Sequence, residues 1–267
     1  MRGDPDQLYV LARRALLDGL DALTPHLNSL VVIGAQAVYV HTGPANLPVA
    51  EFTTDADVAI GPEFLAGEPN IQELLEGRGF ELQEDPGKWK TRDGIQVDLL
   101  VPEALAGPGR RGARLPGHGK RVARRAKGIE GTLVDNAEHE LSALDPNDDR
   151  SFSVRIAGPG SLLVAKVHKI AERAGDPDRL VEKDALDVLR ILQAIPTDDL
   201  SDAMRRLGAN DLAGPVAQEA LVLGQRIFSS DGAGLHLVAE SVRGLADADV
   251  ARVSLQALWN DLTTNLA

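Results

Sequence analysis

Apolar and polar positions along the first 158 residues form patterns that predict both helices and strands. Apolar residues at helical spacing predict an amphipathic helix over residues 7–23, which Pro25 ends. Shorter helices are predicted at 35–40 and 71–75. Short apolar runs rich in β-branched residues predict strands at 30–33, 54–60, 79–82, 95–101, 139–144 and 152–156.

After Pro159 the pattern is helical for the rest of the chain. The predicted helices cover 160–174, 181–194, 198–206, 215–228 and 247–262. Strands followed by a run of helices predict an α+β fold. We therefore expect two domains, one over 1–158 that contains the strands and a helical C-terminal domain over 159–267.

The composition excludes several classes of function. The 267 residues include no cysteine, so disulfides, thiolate metal sites and cysteine nucleophiles are excluded. Aromatic residues make up only 3%, so stacking of bases on exposed rings is not expected to be a main binding device. The first residues lack a signal-peptide pattern, and no apolar segment approaches the length of a membrane span. A cytoplasmic protein with no membrane partner is the expectation.

Charge is unevenly distributed along the chain. The net charge is −12, which argues against nonspecific binding of nucleic acid by the whole surface. Residues 110–127, however, hold eight basic residues and no acidic one, so the rest of the chain carries −20. The basic residues are Arg110, Arg111, Arg114, Lys120, Arg121, Arg124, Arg125 and Lys127. Because residues 107–127 are also rich in Gly and Pro, we predict a mobile loop. It would shield a triphosphate, follow an RNA backbone or only solubilise the surface.

Three acidic residues on predicted strands suggest a metal site. Asp55 and Asp57 alternate along one strand, so both carboxylates leave the same face of the sheet. Mg²⁺ is commonly held by one or two carboxylates together with substrate phosphates. Asp98 lies on another, otherwise apolar strand, where a carboxylate needs a partner. It either caps a backbone group or joins the first two acids beside the metal.

A glycine at a predicted strand-to-helix corner suggests a phosphate site. Gly34 and Ala35 follow the strand at 30–33 and open the next helix. A glycine permits close approach of a ligand to the backbone, and a helix N-terminus offers free N–H groups to a phosphate. A plain strand-to-helix turn is the alternative interpretation.

The ordered set of these motifs resembles the nucleotidyltransferase superfamily, and more closely the AbiEii/MenT-type nucleotidyltransferase toxins of bacterial toxin–antitoxin systems. The resemblance covers about residues 30–192. The matching segments are Val32-Ile33-Gly34-Ala35, Thr53-Thr54-Asp55-Ala56-Asp57, Val97-Asp98-Leu99, Leu163–Arg173 and Glu182–Val188. It departs from the family at Ala35, where a second Gly or a Ser is usual, and at Glu51 and Phe52, where an Arg is common.

The resemblance implies a mixed nucleotidyltransferase-like sheet with flanking helices, and an enzyme that uses Mg²⁺ and a nucleoside triphosphate. Asp55, Asp57 and Asp98 would hold the metal. Gly34, Ala35, Thr54 and Lys166 would contact the nucleotide, with Lys166 on its triphosphate. Asp184 would act by holding Lys166. The acceptor would be a tRNA 3′ end, and a cognate antitoxin protein would be a partner.

The residues themselves leave other interpretations of the two helices open. Lys166, Lys169 and Arg173 fall on one face of a helix, as a solvated charged stripe also would. Asp184 and Asp187 lie near the start of the next helix, where acids favour the macrodipole. Two other functions also remain: an antibiotic- or protein-modifying nucleotidyltransferase, and a noncatalytic protein that binds nucleotide or RNA through residues 110–127.

Overall fold

The computed structural model describes residues 5–43, 53–174 and 182–266, and the fold is α+β. Its strands are β1 (Leu30–Ile33), β2 (Asp55–Ile60), β3 (Glu81–Leu82), β4 (Lys88–Lys90), β5 (Gln96–Pro102), β6 (Arg124–Ala126), β7 (Asn136–Ser142) and β8 (Ser151–Ala157). Its helices are α1 (Pro5–Ala22), α2 (Gly34–Thr42), α3 (Ile71–Gly77), α4 (Pro159–Arg173), α5 (Glu182–Ala194), α6 (Thr197–Gly208), α7 (Gly214–Ile227), α8 (Ala233–Ser241) and α9 (Ala248–Leu266).

The eight strands of the described ranges join one mixed sheet. Seven follow the order β3-β4-β5-β2-β1-β8-β7, and β6 pairs with β5 beside this path. Strand β1 is antiparallel to β2 and parallel to β8, whereas β2 is parallel to β5. The interior strand β1 is buried at all four residues, which fits its continuous apolar sequence. This arrangement places the end of β1, the start of α2 and the acidic stretch of β2 beside one another.

Helices on both sides of residue 158 share one hydrophobic core. Helix α1 packs against β2, β5 and β8, and α2 packs against β1 and β2. Helices α4 and α5 in turn pack against α2. The buried cluster runs without interruption from Leu16 through Val58 and Leu189 to Trp259. A domain boundary near residue 158 stays a prediction.

Most predicted elements occur within a few residues of their expected bounds. Two short strands, β4 and β6, and helix α8 were not predicted. Strand β4 is three residues long, and Lys88 and Lys90 flank its one buried residue, Trp89, so it has no apolar run to detect. Among the residues that the structure describes, no helix has both the length and the apolar character to cross a bilayer.

The basic segment 107–127 packs against the sheet and does not form the free loop that its composition predicts. Ala113, Leu115, Val122 and Ala123 are buried. The indole Nε1 of Trp89 donates a hydrogen bond of 2.9 Å to the carbonyl of Val122. Strand β6 then pairs in parallel with β5, with Arg124 opposite Leu100. The buried apolar residues that lie among the arginines therefore anchor the segment to the sheet.

The anchoring of this segment can be tested by replacing Trp89 with phenylalanine. Trp89→Phe removes the hydrogen bond to Val122 and part of a fully buried side chain, so the free energy of unfolding should fall by about 1–3 kcal/mol. Hydrogen–deuterium exchange should rise within 107–127. Trp259→Phe is the matched control, because Nε1 of Trp259 has no partner within the described residues. It should lower stability without a selective rise in 107–127. Rapid exchange of this segment in the unmutated protein would contradict the packing.

Candidate functional site

Three predicted acids lie on the same face of the sheet. Asp55 and Asp57 are two residues apart on β2, and Asp57 lies directly opposite Asp98 in the parallel pairing with β5. Directly opposed residues in neighbouring strands point to the same side, so the two carboxylates of β2 and that of Asp98 share this face. On its other side, Asp57 pairs with Ile33, the residue before the Gly34 corner.

The side chain of Asp98 is already bonded to its own protein. Its Oδ1 accepts a hydrogen bond of 2.8 Å from Nε2 of Gln96, and its Oδ2 accepts one of 2.9 Å from Nη2 of Arg124. Asp98 is only 4% exposed. No cluster of three or more His, Cys, Asp or Glu side chains suited to a metal occurs within the described part of the chain. In the structure Asp98 is thus held by Gln96 and by an arginine from β6, and its role as a third metal ligand stays a prediction.

Asp57 differs from Asp98 because it has no hydrogen-bond or ion-pair partner within the described ranges. Its carboxylate lies against Gly34, the first residue of α2. Gly34 has φ +72°, and a methyl group added there would lie 2.2 Å from Oδ2 of Asp57. Burial, then repulsion from Asp55, raises the pKa of Asp57 to about 6. At this corner the Asp57 carboxylate, without a partner among the described residues, lies against a position that only glycine can fill.

Asp55 is held in a more favourable environment. Thr53 donates a hydrogen bond of 2.7 Å to Oδ1 of Asp55, and Nζ of Lys183 lies 4.0 Å from the same oxygen. Burial alone would raise the pKa of Asp55, but Lys183, the Thr53 hydroxyl and the charges of Lys169 and Lys166 together lower it. Asp55 therefore stays ionised beside Asp57. Both acids keep carboxylate oxygens of the kind that Mg²⁺ prefers.

Asp184 gathers the three basic residues of α4. Nζ of Lys166 lies 2.8 Å from Oδ1 of Asp184 and 2.6 Å from Oδ2 of Asp187. Lys169 and Arg173 approach Asp184 at 3.1 and 3.4 Å. Burial opposes the charge on Lys166, but the two acids raise its pKa well above the ordinary value. The α4 face is thus an ion-pair cluster and not a solvated stripe.

Two pockets meet at Asp57. The first, here called the α5 pocket, has a volume of about 520 Å³, and Ala35, Thr54, Asp55 and Lys183 contribute to its lining. The second, the β6 pocket, has a volume of about 580 Å³, and Gly34, Arg124, Lys127 and Arg226 contribute to its lining. Four residues line both pockets: Asp57, Lys166, Lys169 and Arg173. Two ligands could therefore approach Asp57 from different directions.

The structure also places several of the other residues considered in the sequence. Ala35 is buried and Thr54 is exposed at the α5 pocket. Glu51 and Phe52 lie outside the described residues. Of the basic segment, Arg110, Arg124, Arg125 and Lys127 line the β6 pocket. Arg111 instead pairs with Asp85 on the surface.

Sequence reasoning missed two residues at the site, Lys183 and Arg124. Lys183 directly precedes Asp184 in a motif that carried the family resemblance, so its position gave a usable signal. Its pKa is lowered by burial and by Lys166. Arg124 gave no such signal, because it is one of eight basic residues in a segment predicted to be a loop. Its partner could be found only once β6 was paired with β5.

Comparisons of this chain with protein-family models, with curated proteins and with solved structures give no match.

Replacing Gly34 with alanine tests the contact with Asp57. Gly94→Ala is the matched control, because Gly94 has φ +80° and no neighbour within 4 Å of an added methyl group. In the control, the unfolding free energy should fall only by the cost of placing alanine in left-handed backbone, about 1–2 kcal/mol. Gly34→Ala must also displace the Asp57 carboxylate, so we expect a further loss of roughly 1–3 kcal/mol. Urea unfolding measures both, and equal losses would contradict the contact.

Replacing Asp57 with asparagine should stabilise the protein at neutral pH. The folded-state pKa of about 6 lies above the ordinary value of 3.8, so the folded chain binds the proton more tightly. The contribution of Asp57 to stability is therefore lost as pH rises from about 4 through about 6. Asp57→Asn removes this cost and should add roughly 1–3 kcal/mol above pH 7 and little at pH 4.

Thermal and urea unfolding across this pH range measure the effect of Asp57→Asn. Asp93→Asn is the control, because Asp93 is an exposed turn residue. It should change stability little at any pH. Destabilisation by Asp57→Asn at pH 7 would show that the carboxylate has a stabilising partner.

Proposed function

We propose that this protein is a Mg²⁺-dependent nucleotidyltransferase that moves a nucleoside monophosphate from a nucleoside triphosphate to an acceptor hydroxyl. The observation that carries the proposal is the Asp57 carboxylate. It has no partner in the described ranges, it lies next to Asp55, and it stands where two pockets meet, of which the β6 pocket has more basic than acidic lining residues. The proposed fold is correspondingly the nucleotidyltransferase-like mixed sheet, with the helices after residue 158 as a C-terminal domain.

Asp55 and Asp57 are the residues that would hold Mg²⁺. Their oxygens suit this cation, and Asp98 does not fit because both of its oxygens are engaged by Gln96 and Arg124. The bound cation would neutralise phosphate oxygens and stabilise the charge that develops on them. Gly34 lets the Asp57 carboxylate lie against the backbone, since a side chain at this position would overlap Oδ2 of Asp57.

Basic residues around the two acids would orient the triphosphate. Lys183 lies beside Asp55, and Lys169 and Arg173 line both pockets. Lys166 is more deeply buried and is held by Asp184 and Asp187, so it would act on the phosphates mainly through its charge. In the reaction, the acceptor hydroxyl releases its proton to solvent and its oxygen forms a bond to the α-phosphorus. The bond from that phosphorus to the bridging oxygen breaks, and pyrophosphate leaves. Charged groups fixed in advance stabilise such a displacement.

The acceptor that we favour is a nucleic acid, and by family resemblance a tRNA 3′ end. The β6 pocket supports this choice, because four residues of the basic segment line it and phosphodiester groups would be attracted there. A cognate antitoxin would then be a protein partner, as in the toxins that the motifs resemble. A small-molecule antibiotic or a protein acceptor would gain less from this charge.

A noncatalytic nucleotide- or RNA-binding function is the second candidate. The ion pair between Asp98 and Arg124 favours it, because that pair removes one of the three acids expected for metal-dependent catalysis. Transfer activity distinguishes the two functions directly.

Incubation of the protein with each α-labelled nucleoside triphosphate, Mg²⁺ and total tRNA tests the proposal. We expect label in tRNA, loss of labelling with EDTA, and loss of at least about a hundredfold in rate for Asp57→Asn, the scale for a group that acts on the transition state. Asp93→Asn should retain the full rate. Label in an antibiotic or a protein would identify a different acceptor. Nucleotide binding without any transfer would favour the noncatalytic function.

A further inference from the structure

The ion pair between Arg124 and Asp98 lies at the boundary of the β6 pocket. Asp98 is buried, whereas the side chain of Arg124 is 33% exposed and lines the pocket together with Gly34 and Asp57. A buried carboxylate needs only one counter-charge, and Arg124 supplies it. The exposed part of the guanidinium is therefore available to something else.

Arg124 has unused hydrogen-bonding capacity. A guanidinium carries five N–H donors and no acceptor. Within the described ranges its side chain makes one hydrogen bond, from Nη2 to Asp98, and the buried Nε has no partner. A planar fork with free donors beside a pocket is suited to a phosphate group, which it can bind through two parallel hydrogen bonds.

The backbone of Arg124 is fixed before any ligand arrives. Strand β6 pairs with β5 so that Arg124 lies opposite Leu100, two residues beyond Asp98. Gly87 packs so closely on this strand that a methyl group added there would lie 2.4 Å from the backbone nitrogen of Arg124. Asp98 then fixes the guanidinium itself. Little freedom would be lost on binding, which favours affinity.

Arg124 also lies within electrostatic range of Asp57. Its positive charge is one of the influences that oppose the rise in the pKa of that carboxylate. A phosphate that contacts Arg124 would therefore stand close to a cation held by Asp57.

We infer that Arg124 binds a phosphate of the nucleoside triphosphate, and that Asp98 is a positioning residue for Arg124 and not a metal ligand. The inference rests on the proposed function for the identity of the ligand. It reassigns the third acid: Asp98 serves the phosphates through a guanidinium, while Asp55 and Asp57 alone serve the metal.

Two binding measurements on the full chain test this assignment without any transfer reaction. Mn²⁺ binding, followed by electron paramagnetic resonance, reports the metal site. Calorimetric titration with inorganic tripolyphosphate in excess Mg²⁺ reports the phosphate site. Asp55→Asn should weaken Mn²⁺ binding strongly. Asp98→Asn should weaken Mn²⁺ binding far less than Asp55→Asn does, and Arg124→Gln should not weaken it. Both should raise the Kd for tripolyphosphate by about tenfold to a hundredfold, as expected for lost charge-assisted hydrogen bonds.

Matched variants separate binding from folding. Arg111→Gln makes the same charge change in the same segment but outside both pockets, so it should leave both affinities unchanged. The double variant Asp98→Asn with Arg124→Gln removes the buried charge and its partner together. It should fold even if a single variant does not, and should still bind Mn²⁺ normally and tripolyphosphate weakly.

Three outcomes would overturn the inference. Loss of Mn²⁺ affinity in Asp98→Asn comparable to that in Asp55→Asn would make Asp98 a metal ligand. Normal tripolyphosphate binding by the double variant, or no such binding by the unmutated protein, would remove the phosphate role. Weakened binding of single-stranded RNA alone, measured by fluorescence anisotropy, would assign Arg124 to the acceptor. Because these are binding readouts, they remain informative even if nucleotide transfer is never detected.

Discussion

The parallel pairing of β2 with β5 is the constraint on which the rest of the site depends. It sets Asp57 opposite Asp98, and with Asp55 it concentrates three acids on one face of the sheet. Like charges at this spacing repel one another, and the surroundings of each carboxylate offset this repulsion differently. Asp98 pairs with Arg124, and Asp55 accepts a hydrogen bond from a hydroxyl and lies near a lysine. Asp57 has neither, and its pKa is raised. The unequal treatment of three similar side chains gives them different chemical roles.

The residues that balance these acids come from distant parts of the chain. Arg124 arrives on β6, Lys183 on α5, and Lys169 on α4. The segment that carries Arg124 is held to the sheet by neutral contacts as well, such as the hydrogen bond from Trp89 to the carbonyl of Val122. The site is thus a property of the whole fold: the sheet supplies negative charge, and the peripheral elements supply the positive charge that limits its cost.

Sequence patterns were sufficient where one residue determines its own environment. The alternation of Asp55 and Asp57, the glycine at the corner and the helical repeat after Pro159 all depend on local periodicity. Sequence patterns were not sufficient where a contact joins segments that are remote in the chain. Arg124 is one basic residue among eight, and nothing local distinguishes it from Arg111, which ends at the surface. The burial of Lys166 likewise depends on its ion pairs with Asp184 and Asp187, which lie on another helix.

The cluster around Asp184 carries more positive than negative charge. Lys166, Lys169 and Arg173 face two carboxylates, those of Asp184 and Asp187, and the β6 pocket that these three basic residues line has eight Lys and Arg residues against four Asp and Glu residues. Dissolved anions will collect there when no ligand is present. A polyanion that binds must displace them, and their return to solution contributes entropy that shrinks as salt is added. The ionic strength of the solution therefore affects how much polyanion binds at α4, even though the chain as a whole is acidic.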